Sequence, residues 1–290
     1  MRSLVVFRRA ADRLDVEDHG GFQSRNASVI QLTQTAFAVH RRIMPEGDWA
    51  FGVFTGDDIF RIADVLPNLG FPVFAFARSK RVPGVHSFPC FSFHAWVEAG
   101  IRNYQDSVHT ILMASATAPS EPRCFWIGNT ATHPLREVIY TNAQAHPDLA
   151  DFRSMRWRDA ISEEGRLAAS DYVSLPDHCA YAMLLDIRGA GYSGRRKFLL
   201  HSGRPVLVVD GEYNEYWAEG LMPWVHYVPI APDGQGLFEV IAHLARHPHL
   251  AERIGRQGQQ YALDHVHLAG ALKRIAVLID YAAAARTCRA

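Results

Sequence analysis

Apolar residues in this 290-residue chain gather in short runs separated by amphipathic stretches. Residues 49–54 and 71–77 are compact apolar runs bounded by Gly, Asp or Pro and predict strands, with a short helix over 61–66 between them. Residues 108–117 are small and apolar, and fit either a helix or the edge of a linker. Pro119 and Pro122 end regular structure on both sides and mark a hinge. Beyond it, residues 123–127 predict the first strand of a second domain, 133–145 its helix and 206–209 a further strand. Residues 236–246 and 248–263 carry apolar positions at helical spacing, with Pro248 at a helix start. Residues 268–285 predict a last helix, apolar enough to pack back across both domains. Strands alternating with helices give an α/β class. The predicted organisation is a domain over 1–120, a second over 121–265 and a returning helix over 266–290.

The apolar run at 184–187 ends in a glycine-rich turn, Gly189-x-Gly191-x-x-Gly194, which carries Ser193, Arg195, Arg196 and Lys197 into an amphipathic helix, with Arg188 just ahead of it. Glycines let a backbone approach a ligand, and the N–H groups and partial positive charge of a helix start favour anions. The chain therefore carries a candidate diphosphate grip. The same spacing spells a dinucleotide-binding fingerprint, with Asp210 after the run 206–209 where a ribose-binding acid is expected. A nicotinamide- or flavin-dependent oxidoreductase is thus one reading. The clustered cations favour another, in which the diphosphate is a leaving group that gains charge during reaction. The bland alternative is a strand–turn–helix with a solvated basic face, and that is the reading taken for Arg196.

Lys plus Arg and Asp plus Glu number 30 each, so the net charge is zero and gives no bulk electrostatic case for nucleic acid. Cys90, Cys124, Cys179 and Cys288 are too widely spaced for a metal pattern or a disulfide framework. His178-Cys179 has no partner spacing for zinc and reads as packing, and no metal site is expected. The apolar run at 4–7 is short and followed by charge, unlike a signal peptide, and no stretch approaches a membrane span. A cytoplasmic protein is the default expectation.

Downstream of the turn, His201-Ser202-Gly203 closes the helix, 206–209 is an apolar strand, Glu212-Tyr213-Asn214-Glu215-Tyr216-Trp217 is an aromatic-acid loop, and Leu221-Met222-Pro223-Trp224-Val225-His226-Tyr227-Val228-Pro229 follows. In this order, over about residues 176–265, the chain resembles glycosyltransferase family 90, which includes protein O-glucosyltransferases, capsule xylosyltransferases and bacterial lipopolysaccharide glycosyltransferases. Weaker likeness extends to residues 124–130 and to the runs at 71–78 and 88–93. The resemblance implies the GT-B architecture, two Rossmann-like domains facing a cleft with the C-terminal helix packed back on the N-terminal domain. It implies a UDP-sugar donor as substrate, inversion at the anomeric carbon and no metal or organic cofactor. The missing signal and unpaired cysteines suit a bacterial-type member, with a cell-envelope saccharide or glycolipid as acceptor and peripheral contact with the inner membrane.

The resemblance assigns the diphosphate to Ser193 and Arg195 with the backbone at Gly189 and Gly191, and Arg188 and Lys197 as second choices. Gly128 and Thr130 lie in the matching upstream turn, and Glu215 matches the acid before the aromatic pair. The family's arginine before Gly128 is Ile127 here, so either one phosphate contact is missing or Arg136 in the next helix replaces it. For the base that deprotonates the acceptor, the family's aspartate position is Val85, leaving its neighbour His86, or Asp57 at a strand end. Should neither serve, a sugar-nucleotide-binding pseudoenzyme is the remaining reading. Trp224 reads as core, and acceptor specificity is assigned to loops around 20–28 and 78–86.

Overall fold

The computed structural model describes residues 2–10, 13–79, 82, 84–155, 172–209 and 211–287. In chain order the elements are β1 (Leu4–Ala10), β2 (Arg13–Asp18), α1 (Gln23–Val39), β3 (Trp49–Phe54), β4 (Val73–Ala75), β5 (Arg78–Ser79), α2 (Tyr104–Ser115), β6 (Glu121–Gly128), α3 (Pro134–Ala143), β7 (Ala150–Ser154), β8 (Tyr181–Asp186), α4 (Arg196–His201), β9 (Val206–Val209), β10 (Tyr213–Asn214), β11 (Val228–Ile230), α5 (Leu237–Arg246), α6 (Pro248–His265) and α7 (Leu268–Thr287). The class is α/β. Two compact units divide the chain: Met1–Trp96 with Glu212–Glu219 and His267–Ala290, and Val97–Gly211 with Gly220–Val266. No helix among the described residues is long and apolar enough to cross a membrane.

The first unit has a mixed sheet in the order β2-β1-β3-β4, in which only β3 and β4 run parallel. Inward positions of β1 and β3 face each other in register, Phe7 opposite Phe51, and their rings stack at 5.0 Å. Phe74 of β4 joins Phe51 at 5.5 Å, and Phe88 stacks on Phe74 at 6.5 Å. All four are buried, each contributing on the order of 2 kcal/mol of burial free energy. Helices α1 and α7 pack against this unit's own elements, α7 on α1 and β3. Residues 23–28, read as loop from the sequence, open α1 instead. That helix is hard to see because its buried face carries Asn26, Ser28 and Thr33. Each is satisfied: Asn26 Nδ2 donates to Asp18 at 2.6 Å, Ser28 Oγ to Ala95 O at 3.3 Å and Thr33 Oγ1 to Val29 O at 2.8 Å.

The second unit has an all-parallel five-stranded sheet in the order β11-β9-β8-β6-β7. Its strands are nearly continuous apolar runs because helices cover both faces. Trp126, Met183, Leu185, Ile187, Leu207 and Ile241 share one core cluster. The division falls at Trp96/Val97, which corrects the boundary expected at 120. The reason is α2. Its Tyr104 hydroxyl donates to Val266 O and its ring lies 5.4 Å from Phe198, while Ile111 O accepts from Cys179 Sγ at 3.7 Å. Residues 119–122 are no hinge: Ser120 N donates to Ala180 O at 2.9 Å and β6 begins at Glu121.

Helix α6 lies directly on the turn that feeds β9. A Cβ on Gly255 would stand 2.2 Å from Gly203 O, and one on Gly258 2.4 Å from His226 O. Backbone cannot yield as a side chain can. Gly255→Ala is therefore expected to destabilise the protein by about 2–3 kcal/mol in urea unfolding. An unchanged midpoint would mean that α6 is not seated there.

Candidate functional site

In the second unit the chain runs outward from β6 to β7, then returns to place β8 on the other side of β6 and continues to β9 and β11. The loops after β6 and β8 thus depart in opposite directions from adjacent strands. Parallel sheets place ligands in the crevice at such a reversal, beyond the carboxyl ends of the strands. Residues 128–132 and 187–195 leave the carboxyl ends of β6 and β8 at this reversal and are called its two lips.

Arg136, on the first turn of α3, ties the lips together. Its Nε donates to Arg188 O at 2.8 Å, Nη2 to Ile187 O at 2.6 Å, and Nη1 to Asn129 O at 3.2 Å and Thr132 Oγ1 at 2.9 Å. Four of five guanidinium N–H groups are so engaged. The group also lies over the Trp126 ring, 5.6 Å from its centroid. The second lip has its own clasp. Asp186, fully buried at the end of β8, accepts from the Ser193 hydroxyl and pairs with Arg196 Nε at 2.8 Å. Arg195, buried, donates to Ile127 O at the end of β6.

Among the described residues at this point, three guanidiniums (Arg136, Arg195, Arg196) surround one carboxylate. The imbalance is visible in their acidities. Burial, then the charge of Arg195, pushes the Arg136 pKa down to about 9, against the pull of Asp186. Burial also lowers Arg195, with Asp186 and Tyr172 opposing. His133, whose Nδ1 accepts from Leu135 N at 3.2 Å to cap α3, is lowered by burial, then by Arg188 and Arg136, and stays neutral near pH 7. Among the described residues, the amides of Gly189, Ala190 and Gly191 have no acceptor. An anion at this crevice would meet unpaired N–H groups and a surplus of positive charge.

Three residues expected to touch the diphosphate also make contacts within the protein. Ser193 gives its proton to Asp186, Arg195 is turned inward to the β6 carbonyl, and Lys197, fully buried, donates to Gly194 O at 3.0 Å. All three hold the turn in shape. Arg196, read as a solvated face, is instead the ion-pair partner of Asp186. Helix α4 spans six residues and is too short to present a helix dipole, and Gly189, Gly191 and Gly194 all avoid positive φ, so none is needed for a left-handed turn. Gly189 is distinguished by space: a Cβ there would stand 3.7 Å from Arg136 Nη2 and 3.8 Å from Thr132 Oγ1. Gly128 ends β6, and Thr130 Oγ1 lies 3.1 Å from Ser154 Oγ at the end of β7. Arg188 remains partly exposed on the second lip. Asp210 lies outside the described residues. Arg136 reaches the end of β6 through Asn129 O and the Trp126 ring, while Ile127 O accepts from Arg195.

The other candidates belong to the first unit. Glu215 is buried, its Oε2 accepting from the Trp217 indole N–H at 3.0 Å. Asp57 accepts from Arg25 Nη1 at 2.7 Å, and that guanidinium lies over the Phe22 ring at 4.1 Å. The His86 ring meets Tyr281 edge-on at 4.5 Å. Burial, then Arg274 and Arg78, lowers its pKa, so the imidazole is neutral near pH 7. Trp224 is 44% exposed, which corrects its reading as core: it stands at the tip of a turn closed by Trp224 N to Tyr227 O at 2.7 Å.

The sequence profile described as glycosyl transferase family 90 matches residues 60–283. Protein O-glucosyltransferase 1 of Rattus norvegicus is 27% identical over 209 residues, covering 68% of this chain and 53% of the relative. The O-glucosyltransferase rumi homolog of Anopheles gambiae is 28% identical over 228 residues, covering 72% and 57%. The chain spans about half the length of the curated relatives it matches. Among solved structures, Anabaena Alr3699/HepE in complex with UDP-glucose is similar at 13% identity and a TM-score of 0.37, covering 60% of this chain and 44% of that one. The C-terminal domain of the glycosyl transferase group 1 protein LpcC from Francisella tularensis is similar at 11% identity and a TM-score of 0.37, covering 54% and 91%.

Proposed function

Because the chain belongs to glycosyltransferase family 90, we propose that its second unit grips the diphosphate of a UDP-sugar at the ends of β6 and β8, and that the protein transfers the sugar to a hydroxyl with inversion at the anomeric carbon. On this reading the second unit is the donor half of a GT-B enzyme. One observation carries the proposal: among the described residues, the guanidiniums of Arg136, Arg195 and Arg196 outnumber the one carboxylate, Asp186, at the strand reversal. That surplus is a cost in the empty protein and becomes favourable when a diphosphate gains charge as the leaving group. No metal or organic cofactor enters this reading.

The charge state of Arg136 makes UDP binding pH-dependent. Between about pH 9 and the ordinary arginine range, the folded chain holds fewer protons on this group than the unfolded chain does. The unliganded fold therefore gains stability from Arg136 as pH rises through that interval. An anion needs the charged guanidinium and loses affinity over the same interval. Calorimetric UDP titrations are expected to give a level affinity from pH 7 to 8, a decline above about pH 9, and proton uptake on binding there. A flat profile to pH 10 would remove Arg136 from the site.

Transfer also needs a base for the acceptor hydroxyl. We assign it to His86, whose neutral imidazole can accept a proton, ahead of Asp57, whose carboxylate is already tied to Arg25. His86→Gln is expected to lower the transfer rate by roughly 10²–10⁴-fold with UDP affinity unchanged, and Asp57→Asn to have the smaller effect. The reverse ranking would give the role to Asp57. The acceptor we propose is a cell-envelope saccharide. A second reading, a protein hydroxyl, is favoured by relatives named protein O-glucosyltransferase. Transfer from radiolabelled UDP-glucose and UDP-xylose to core oligosaccharide or to a serine-bearing protein domain separates them.

A further inference from the structure

The sequence reads His178 as packing, and the donor site makes no use of it. It stands in the short 3-10 turn Pro176–Ala180 that leads into β8. The ring is buried and meets Phe125 edge-on at 4.8 Å. Ser174 O, a carbonyl, can only accept, so its 2.7 Å contact with His178 Nδ1 places a proton on that nitrogen. Burial, then the charge of Arg195, pushes the His178 pKa down to about 3, so the ring carries no second proton near pH 7. Nε2 is therefore a bare lone pair. It is buried and has no hydrogen-bond partner. Buried polar atoms are almost always paired, so this one calls for a physical account.

Arg195 presents the complementary defect. It is buried, and its one side-chain hydrogen bond among the described residues runs from Nη1 to Ile127 O. A guanidinium has five N–H groups to satisfy. Arg195 and His178 line the same cavity of about 10 Å³, together with Ala99, Leu175 and Tyr172, whose hydroxyl donates to Ala99 O at 3.3 Å. That volume is close to the least that holds one water molecule. Charge decides among the small occupants. A cation would be repelled by the guanidinium, and an anion would face the Nε2 lone pair. Water alone can accept from the one group and donate to the other.

We propose that one water molecule is built into this cavity, accepting from the Arg195 guanidinium and donating to His178 Nε2, and that His178 is through it a positioning residue for Arg195. Arg195 passes that restraint to the end of β6 through Ile127 O, and it is one of the three guanidiniums at the strand reversal. The positioning role rests on the donor reading, whereas the water does not. Crystals of the full chain without UDP, diffracting finely enough to show ordered water, are expected to place one water within hydrogen-bonding distance of both groups. A dry cavity, a water within reach of only one group, or Arg195 bonded directly to Nε2 would overturn the water and the role with it. In crystals with UDP the water and Arg195 are expected to stay in place, and their displacement would overturn the role. His178→Asn keeps a donor for Ser174 O but has no atom at the Nε2 position, whereas the longer His178→Gln can bring its amide carbonyl there. Calorimetric UDP affinity is expected to fall about tenfold in His178→Asn and to recover in His178→Gln. Unchanged affinity in the first, or equal losses in both, would also overturn the role. Failure of UDP binding in the wild type would instead overturn the donor reading and leave the water standing.

Discussion

Arg136→Lys is expected to cost both stability and nucleotide binding, although it preserves the charge. A lysine ammonium presents three donors from a single point and cannot reproduce the planar fork. It would leave at least two of the carbonyls at Ile187, Arg188 and Asn129 without their donor, and it would lift the cation from the Trp126 ring. Orphaning two acceptors that are buried or part-buried, at the lower end of about 1–3 kcal/mol each, predicts a loss of roughly 2 kcal/mol in urea unfolding. The two lips would no longer be tied, and UDP affinity is expected to fall by about 100-fold, near 2.7 kcal/mol. A variant that keeps wild-type stability and affinity would show that neither lip depends on the guanidinium geometry.

Gly189→Ala is expected to separate binding from folding. The new methyl meets Arg136 and Thr132 at ordinary van der Waals distances, and the backbone is outside the left-handed region. The unfolded chain loses freedom, so the fold is expected to hold its stability or gain about 0.4–1 kcal/mol. The methyl would, however, stand between the Arg136 guanidinium and any phosphate that approaches the Gly189 amide. UDP affinity is expected to drop by about 100-fold in calorimetry while the unfolding midpoint does not fall. Unchanged affinity would move the diphosphate away from this glycine.

These two residues show how unevenly the molecule can be read from its sequence. The second unit is the more legible because parallel strands buried on both faces are written as apolar runs, such as Cys124–Ile127 and Val206–Val209, and its helices α5 and α6 carry clear periodicity. The first unit hides more. Its β1 carries Arg8 and Arg9 near its end, β2 is largely charged, and α1 buries Asn26 and Ser28, whose partners lie outside the helix. At the site, the residues of the glycine turn stand out by type, but their roles do not. Whether Ser193, Arg195 and Lys197 face a ligand or the protein depends on Asp186, Ile127 O and Gly194 O, and the second of these is 68 residues away. Arg136 was visible only as a substitute for a missing arginine. Its four hydrogen bonds reach residues 4 to 52 positions distant, a tertiary fact that no local pattern encodes. Trp224 misled because an aromatic in an apolar segment usually packs inward, whereas here the turn geometry sets it outside.

The most direct test of the donor site is a crystal structure of the full chain grown with UDP. Both phosphates are expected over the carboxyl ends of β6 and β8, within hydrogen-bonding distance of the Gly189 amide and the Arg136 guanidinium. UDP bound with its phosphates anywhere else on the protein would contradict that site.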